Sequence, residues 1–141
     1  MFVCLGNICR SCFAEHYARR HYDTAKRFLS AGMIALPGRQ SPANAIAAGQ
    51  ETGIDLADHR SMVLTTDMID TAAALICFDA RTEAAVLDRY PEVEHKLFRL
   101  DQLGGTAEIA DPLDGDMSVF RSCYATIGTV LDRMLGKVQS A

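Results

Sequence analysis

The chain has 141 residues, 49% of them apolar and 23% charged, which suits a single globular domain over 1–141 long enough to bury a core without metals or disulfides. A net charge of −4 with no large Lys/Arg cluster excludes a nucleic-acid binder that neutralises runs of phosphates, and the lack of a signal peptide or a membrane-length apolar run argues against export or membrane partners. Five cysteines, an odd number without CxxC or Cys/His metal spacing, point to a reducing, cytoplasmic setting and to buried or reactive thiols rather than a disulfide framework.

Phe2 and Val3 open a strand that is short against about five residues for a typical one; a start codon upstream of Met1 would lengthen it. Cys4-Leu5-Gly6-Asn7-Ile8-Cys9-Arg10-Ser11 follows, a tight loop with a thiol at one end and a guanidinium at the other. A loop that closes onto a helix N-terminus turns its backbone amides inward, and that nest together with the helix dipole binds an anion. Arg10 adds a planar two-pronged contact to the same oxyanion. The positive field favours the thiolate of Cys4, the reactive form. Gly6 permits close backbone approach to a ligand, and Asn7 tolerates a left-handed turn.

From Arg10 to about Tyr22, Phe13, Ala14, Tyr17 and Ala18 recur at helical spacing, with Glu15, Arg19 and Arg20 on the wet side. Arg27–Ala31 reads as a second strand ending at Gly32, and Gly32–Gln40 as a loop. Ser41 then caps a helix with Pro42 in its first position and Gly53 at its end. Residues 54–62 form a connection before a helical turn at Thr66–Ile69. Ala72–Phe78 is an apolar run suited to a strand buried on both faces, and Asp79 caps the helix that ends before Pro91. Lys96–Leu100 is a fourth strand and Asp101–Gly115 a loop. The final helix carries Phe120, Cys123, Tyr124, Ile127, Leu131 and Met134 on one stripe and stops at Gly136.

Strands alternating with helices predict an α/β protein, a four-stranded parallel sheet with helices on both faces. Ligands of such sheets bind at the carboxyl ends of strands, where the Cys4–Arg10 loop lies. Asp111, fixed before Pro112, sits in a loop that can cover that site and is a candidate proton donor. Asp114 and Asp116 read as solvation and helix capping, and Cys77 and Cys123 as core.

The Val3–Ser11 string resembles the phosphate loop of the low-molecular-weight protein tyrosine phosphatases. The likeness continues along essentially the whole chain through Ala14-Glu15, Ser30-Ala31-Gly32, Asp58-His59 and Asp111-Pro112. It implies that family's three-layer, phosphatase-I-like sandwich and a cofactor-free, metal-free hydrolysis of phosphotyrosine in proteins. By resemblance, Cys4 is the nucleophile of a phosphocysteine intermediate, and Arg10 with the amides of Leu5, Gly6, Asn7, Ile8 and Cys9 holds the phosphoryl oxygens. Asp111 is the general acid and then base. Ser11 assists the thiolate, while Asn7, Ser30 and His59 brace the loop. Cys9 matches a partner thiol able to pair reversibly with Cys4, with Cys12 a second candidate. Ile8 matches the residue that favours phosphotyrosine, where phosphoarginine-directed relatives carry threonine.

Leu113 replaces the tyrosine of the family's Asp-Pro-Tyr, and Leu36 is the candidate for the opposite wall of the substrate site. The expected partners are a phosphotyrosine protein and, in a bacterium, a cognate tyrosine autokinase of polysaccharide export. Oligomeric state is left open. Two other readings stand beside this one: a thiol-dependent arsenate reductase, which needs a relay through two further cysteines, and a non-catalytic phosphate-binding or redox-sensing module.

Overall fold

The computed structural model describes residues 1–22, 27–34 and 36–140, with side chains as far as Gly136. Ala35, within the expected Gly32–Gln40 loop, lies outside the described residues. Four strands, β1 (Phe2–Cys4), β2 (Ser30–Gly32), β3 (Leu75–Cys77) and β4 (Leu97–Arg99), form one parallel sheet in the order β2-β1-β3-β4. All four are three residues long, so β1 is no shorter than its neighbours. The Met1 amine extends the ladder by donating to the Ala74 carbonyl at 2.8 Å.

Strand periodicity divides the core in two. Phe2, Cys4 and Ile76 face one layer, where Phe13, Ala14 and Ala18 of α1 (Arg10–His21) pack with Ala45 and Ala48 of α2 (Ala43–Glu51). Leu100 of α5 (Leu100–Gly104) and Phe120, Tyr124, Ile127 and Leu131 of α6 (Met117–Ser140) complete that layer. Val3, Leu75 and Cys77 face the opposite layer, with Ile69 of α3 (Thr66–Thr71), Val86 of α4 (Ala80–Arg89) and Val93 of a 3-10 turn (Pro91–Lys96). Alternating side-chain directions along each strand produce this three-layer arrangement.

Several boundaries move from the sequence expectation. The second strand is Ser30–Gly32 rather than Arg27–Ala31, because Gly32 pairs with Cys4 and its carbonyl accepts from Leu64 at 2.9 Å. α2 begins after Pro42, which is itself the cap residue, and Ser41 instead sets its hydroxyl 3.6 Å from the Cys12 sulfur. The expected loop Asp101–Gly115 contains most of α5, which buried Leu100 anchors and Gly105 ends at φ 65°. α6 passes through Gly136 to Ser140. Asp79 caps α4 as expected, accepting from the Thr82 amide at 2.7 Å.

The loop after β1 opens where the strand order reverses. β2 lies on one side of β1 and the chain returns to lay β3 on the other, so the carboxyl end of β1 faces a crevice between diverging connections. Among the described residues no helix is long and apolar enough to cross a membrane.

Candidate active site

Asn7 shapes the loop. It is the one described residue other than glycine with positive φ, at 56°, and it is fully buried. Its side-chain amide nitrogen donates to Ser11 Oγ at 2.8 Å and to Ser30 Oγ at 2.9 Å. Its Oδ1 accepts from the Met62 amide at 2.9 Å, which fixes the orientation of the side chain. Its backbone carbonyl lies 2.7 Å from Nε2 of His59, and because a carbonyl only accepts, Nε2 carries the proton.

These bonds give the network a direction. Ser30 accepts from Asn7 and donates to the buried Glu15 carboxylate. Ser11 accepts from Asn7 and stands 2.9 Å from the Cys4 sulfur, so its own hydroxyl hydrogen is available to that sulfur. The Asn7 amide also points at Cys4 Sγ, at 3.3 Å. The far side of the loop is set by Gly32: a Cβ there would fall 2.8 Å from the Leu5 carbonyl and 3.0 Å from the Asn7 nitrogen. Of the two glycines that border the loop, Gly32 is the one without room for a side chain, whereas a Cβ on Gly6 would meet nothing closer than 3.5 Å.

Arg10 opens α1 with its side chain 1% exposed. One guanidinium nitrogen, Nη1, donates to Asp79 Oδ2 and to the Ile109 carbonyl, both at 2.7 Å, while the Phe78 ring lies under the group at 5.7 Å. Nε and Nη2 are buried without a protein partner, and they form the edge of a guanidinium that pairs with two oxygens of an oxyanion. Burial disfavours the Arg10 charge, but the Asp79 hydrogen bond and the nearby Cys4, Asp79 and Asp111 outweigh it. Burial likewise works against an ionised Asp79, yet the Arg10 and Thr82 hydrogen bonds hold its carboxyl below the usual range. α1 has no side-chain cap, which leaves its first amides to the loop.

A cleft of about 360 Å³ lies over the loop, lined by Cys4, Leu5, Gly6, Ile8 and Cys9. Its walls are Ile34 and Arg39 on one side, Arg81 from α4, and Asp111, Leu113 and Asp114 on the other. Asp111 is exposed and its Oδ1 accepts from the Leu113 amide at 3.1 Å, in a loop tethered two residues earlier through the Ile109 carbonyl to Arg10. Leu36 is not among the lining residues; Ile34 stands there instead, because the Ser61 hydroxyl draws the Leu36 carbonyl toward the next segment at 2.8 Å.

Cys9 shares the cleft with Cys4, whereas Cys12 is buried against the Cys9 carbonyl and Ser41. Burial, with Asp111 second, pushes the Cys9 thiol well up, and burial does the same to Cys12 against the Ser41 hydrogen bond. Asp116 caps α6, accepting from Val119 at 3.2 Å and from the Ser118 hydroxyl at 2.6 Å.

Apolar spacing alone sets Glu15 on the wet face of α1 and makes Asp79 only a cap. Both meet the loop through partners distant in the chain, Ser30 for Glu15 and Arg10 for Asp79. Asp79 carried one signal in the sequence: it follows a buried strand at the carboxyl edge of the sheet, where ligands bind.

A thiol at the head of a loop that runs into an uncapped helix N-terminus, with an arginine held by its back edge, is suited to attack a bound phosphoryl centre, and the fold and site define the class of thiol-based phosphatases. The family described as low molecular weight phosphotyrosine protein phosphatase matches residues 1–141, and the chain belongs to it. A protein-arginine-phosphatase of Geobacillus stearothermophilus is 32% identical, covering 99% of this chain and 95% of its own. The tyrosine phosphatase Wzb of Escherichia coli K12 is 27% identical, with coverages of 94% and 87%. Among solved structures, the YwlE arginine phosphatase of G. stearothermophilus superposes with a TM-score of 0.91 at 33% identity, covering 99% of this chain and 91% of that one. Wzb from E. coli K30 with sulphate gives 0.90 at 26% identity, covering 97% and 95%.

Proposed function

We propose that residues 1–141 act as one cytoplasmic catalytic unit that hydrolyses phosphotyrosine in proteins, a tyrosine kinase being a natural partner. The observation that carries this reading is Arg10, fully buried and held through Nη1 while Nε and Nη2 have no protein partner beside Cys4. Cys4 attacks phosphorus and forms a phosphocysteine; the loop amides and Arg10 take the charge spread over the equatorial oxygens. Asp111 gives its proton to the departing tyrosine oxygen and then removes one from the attacking water. Ser11 donates to the Cys4 sulfur as it leaves.

The cleft walls support an aromatic substrate, since Ile8, Ile34 and Leu113 are apolar and a ring packs between them. A phosphoarginine substrate is the second reading, favoured by the similarity to the G. stearothermophilus arginine phosphatase. An arsenate relay finds little support: Cys77 packs in the layer opposite the one that holds Cys4 and Cys123.

The test is turnover of p-nitrophenyl phosphate, a phosphotyrosine peptide and a phosphoarginine peptide by the wild type, Cys4→Ser and Asp111→Asn. The expected result is phosphotyrosine hydrolysis abolished in Cys4→Ser and lowered about 10²–10⁴-fold in Asp111→Asn. Preference for phosphoarginine would replace the substrate, and no turnover by the reduced wild type would overturn the phosphatase reading.

A further inference from the structure

Outside the cleft, three side chains meet that no spacing in the sequence links. Glu15 and its neighbour His16 on α1, together with His59 from the segment after α2, bring one carboxylate oxygen and two imidazole nitrogens within 4.8 Å of one another. The two imidazole rings stand edge to face with centroids 5.7 Å apart.

Two features prepare this cluster for a cation. His59 gives its Nε2 hydrogen to the Asn7 carbonyl, so Nδ1 keeps its lone pair. A metal-bound imidazole makes the same bond to a backbone carbonyl with its second nitrogen, which fixes tautomer and orientation. The Glu15 carboxylate is buried and oriented already, by the Ser30 hydroxyl on one oxygen and Arg19 at 3.0 Å on the other. Arg19 is half-exposed, and its Nε has a second anchor in the Phe28 carbonyl at 2.8 Å, so its Nη2 can leave Glu15 while that bond stays.

We propose that Glu15, His16 and His59 form a binding site for a divalent transition ion of the zinc class, with water as the fourth ligand. Two imidazoles and a carboxylate suit zinc, whereas magnesium and calcium take all-oxygen sets. Donors around a tetrahedral zinc stand roughly 3.4 Å apart, so the ligands close by about 1 Å each. Half-buried His16 has the freedom to make that movement. The bound ion displaces Arg19 and ties α1 to the His59 segment. The two groups that hold Ser30 and the Asn7 carbonyl then share one centre.

The experiment is calorimetric titration of the full-length Cys4→Ser chain with Zn2+, alone and with His16→Ala or His16→Gln added. Cys4→Ser removes the cleft nucleophile as a competing ligand, and His16 meets the phosphate loop only through the edge of the His59 ring. The expected result is one equivalent bound, weakened at least tenfold by either His16 substitution, with a cobalt derivative lacking the near-ultraviolet band of a thiolate ligand. No binding by Cys4→Ser, binding unchanged in both His16 variants, or a thiolate band would overturn the site. Activity of the wild-type enzyme toward phosphotyrosine is a separate measurement, so failure of the metal site leaves the phosphatase reading standing.

Discussion

Asn7 commits every polar atom to the loop while sitting at φ 56°, and these two properties separate by mutation. Asn7→Gly keeps the left-handed backbone and loses the side-chain bonds; Asn7→Ala loses both. Ala at this position costs about 1–2 kcal/mol more than Gly from backbone strain alone, so urea titration should place Asn7→Ala below Asn7→Gly in stability. The turnover of both should fall together, because Ser11 and Ser30 lose the same donor. Asp79 makes a second prediction, through pH. Its folded-state carboxyl is held below the ordinary range, so the folded chain binds that proton less readily than the unfolded one. The resulting stability is complete above the unfolded value of about 3.9 and is lost as pH falls through the folded value. Asp79→Asn should therefore be less stable than wild type at pH 7, by about 1–3 kcal/mol for a charge-assisted hydrogen bond weakened beside a buried guanidinium. The gap should narrow below about pH 4 in denaturation curves.

Gly32 ends β2 against the turn that follows β1, and the contact is between backbones. A methyl group there has no flexible neighbour to displace, so Gly32→Ala should push Leu5 through Asn7 out of place. The cost is about 1–3 kcal/mol for overpacking, read as a lower melting temperature together with a loss of phosphatase activity larger than the stability change alone would give. Elements of this kind also mark how far the sequence could be read. α1, α4 and the stripe of α6 follow from apolar spacing and capping, and the proposed phosphate loop is contiguous, so its residue types lie in eight adjacent positions. α5 was not readable because its anchor, Leu100, looks like the end of a strand and gains its helical role only by packing under α6. Gly136 did not end α6, since one glycine inside a helix costs only about 1 kcal/mol. Glu15 and Ile34 act through contacts far apart in the chain, where local pattern carries no information, and Asp79 shows only its place after a buried strand.

The sheet divides the cysteines of the whole molecule. Cys4, Cys9, Cys12 and Cys123 belong to the layer with α1 and α6, and Cys77 to the layer with α3 and α4. All five are free thiols. If Cys4 is the nucleophile proposed above, peroxide should oxidise it to a sulfenic acid with reduction of the peroxide to water, and a neighbouring thiol should then attack that sulfur, expel a second water and close a disulfide. Cys9 lines the same cleft as Cys4, whereas the Cys12 sulfur faces Ser41 and the Cys9 carbonyl inside the core. Burial pushes the Cys77 thiol up to about 12, and the sheet stands between it and the cleft. Cys9→Ser should therefore turn peroxide inactivation from a loss recovered by dithiothreitol into one that is not, as Cys4 proceeds to the sulfinic acid. Cys77→Ala should leave both inactivation and recovery at wild-type rates. Mass spectrometry of the oxidised wild type should show a Cys4–Cys9 peptide pair; a Cys4–Cys12 pair would mean that α1 unwinds its first turn during oxidation, a motion that hydrogen exchange of the Ser11 to Ala14 amides would then reveal.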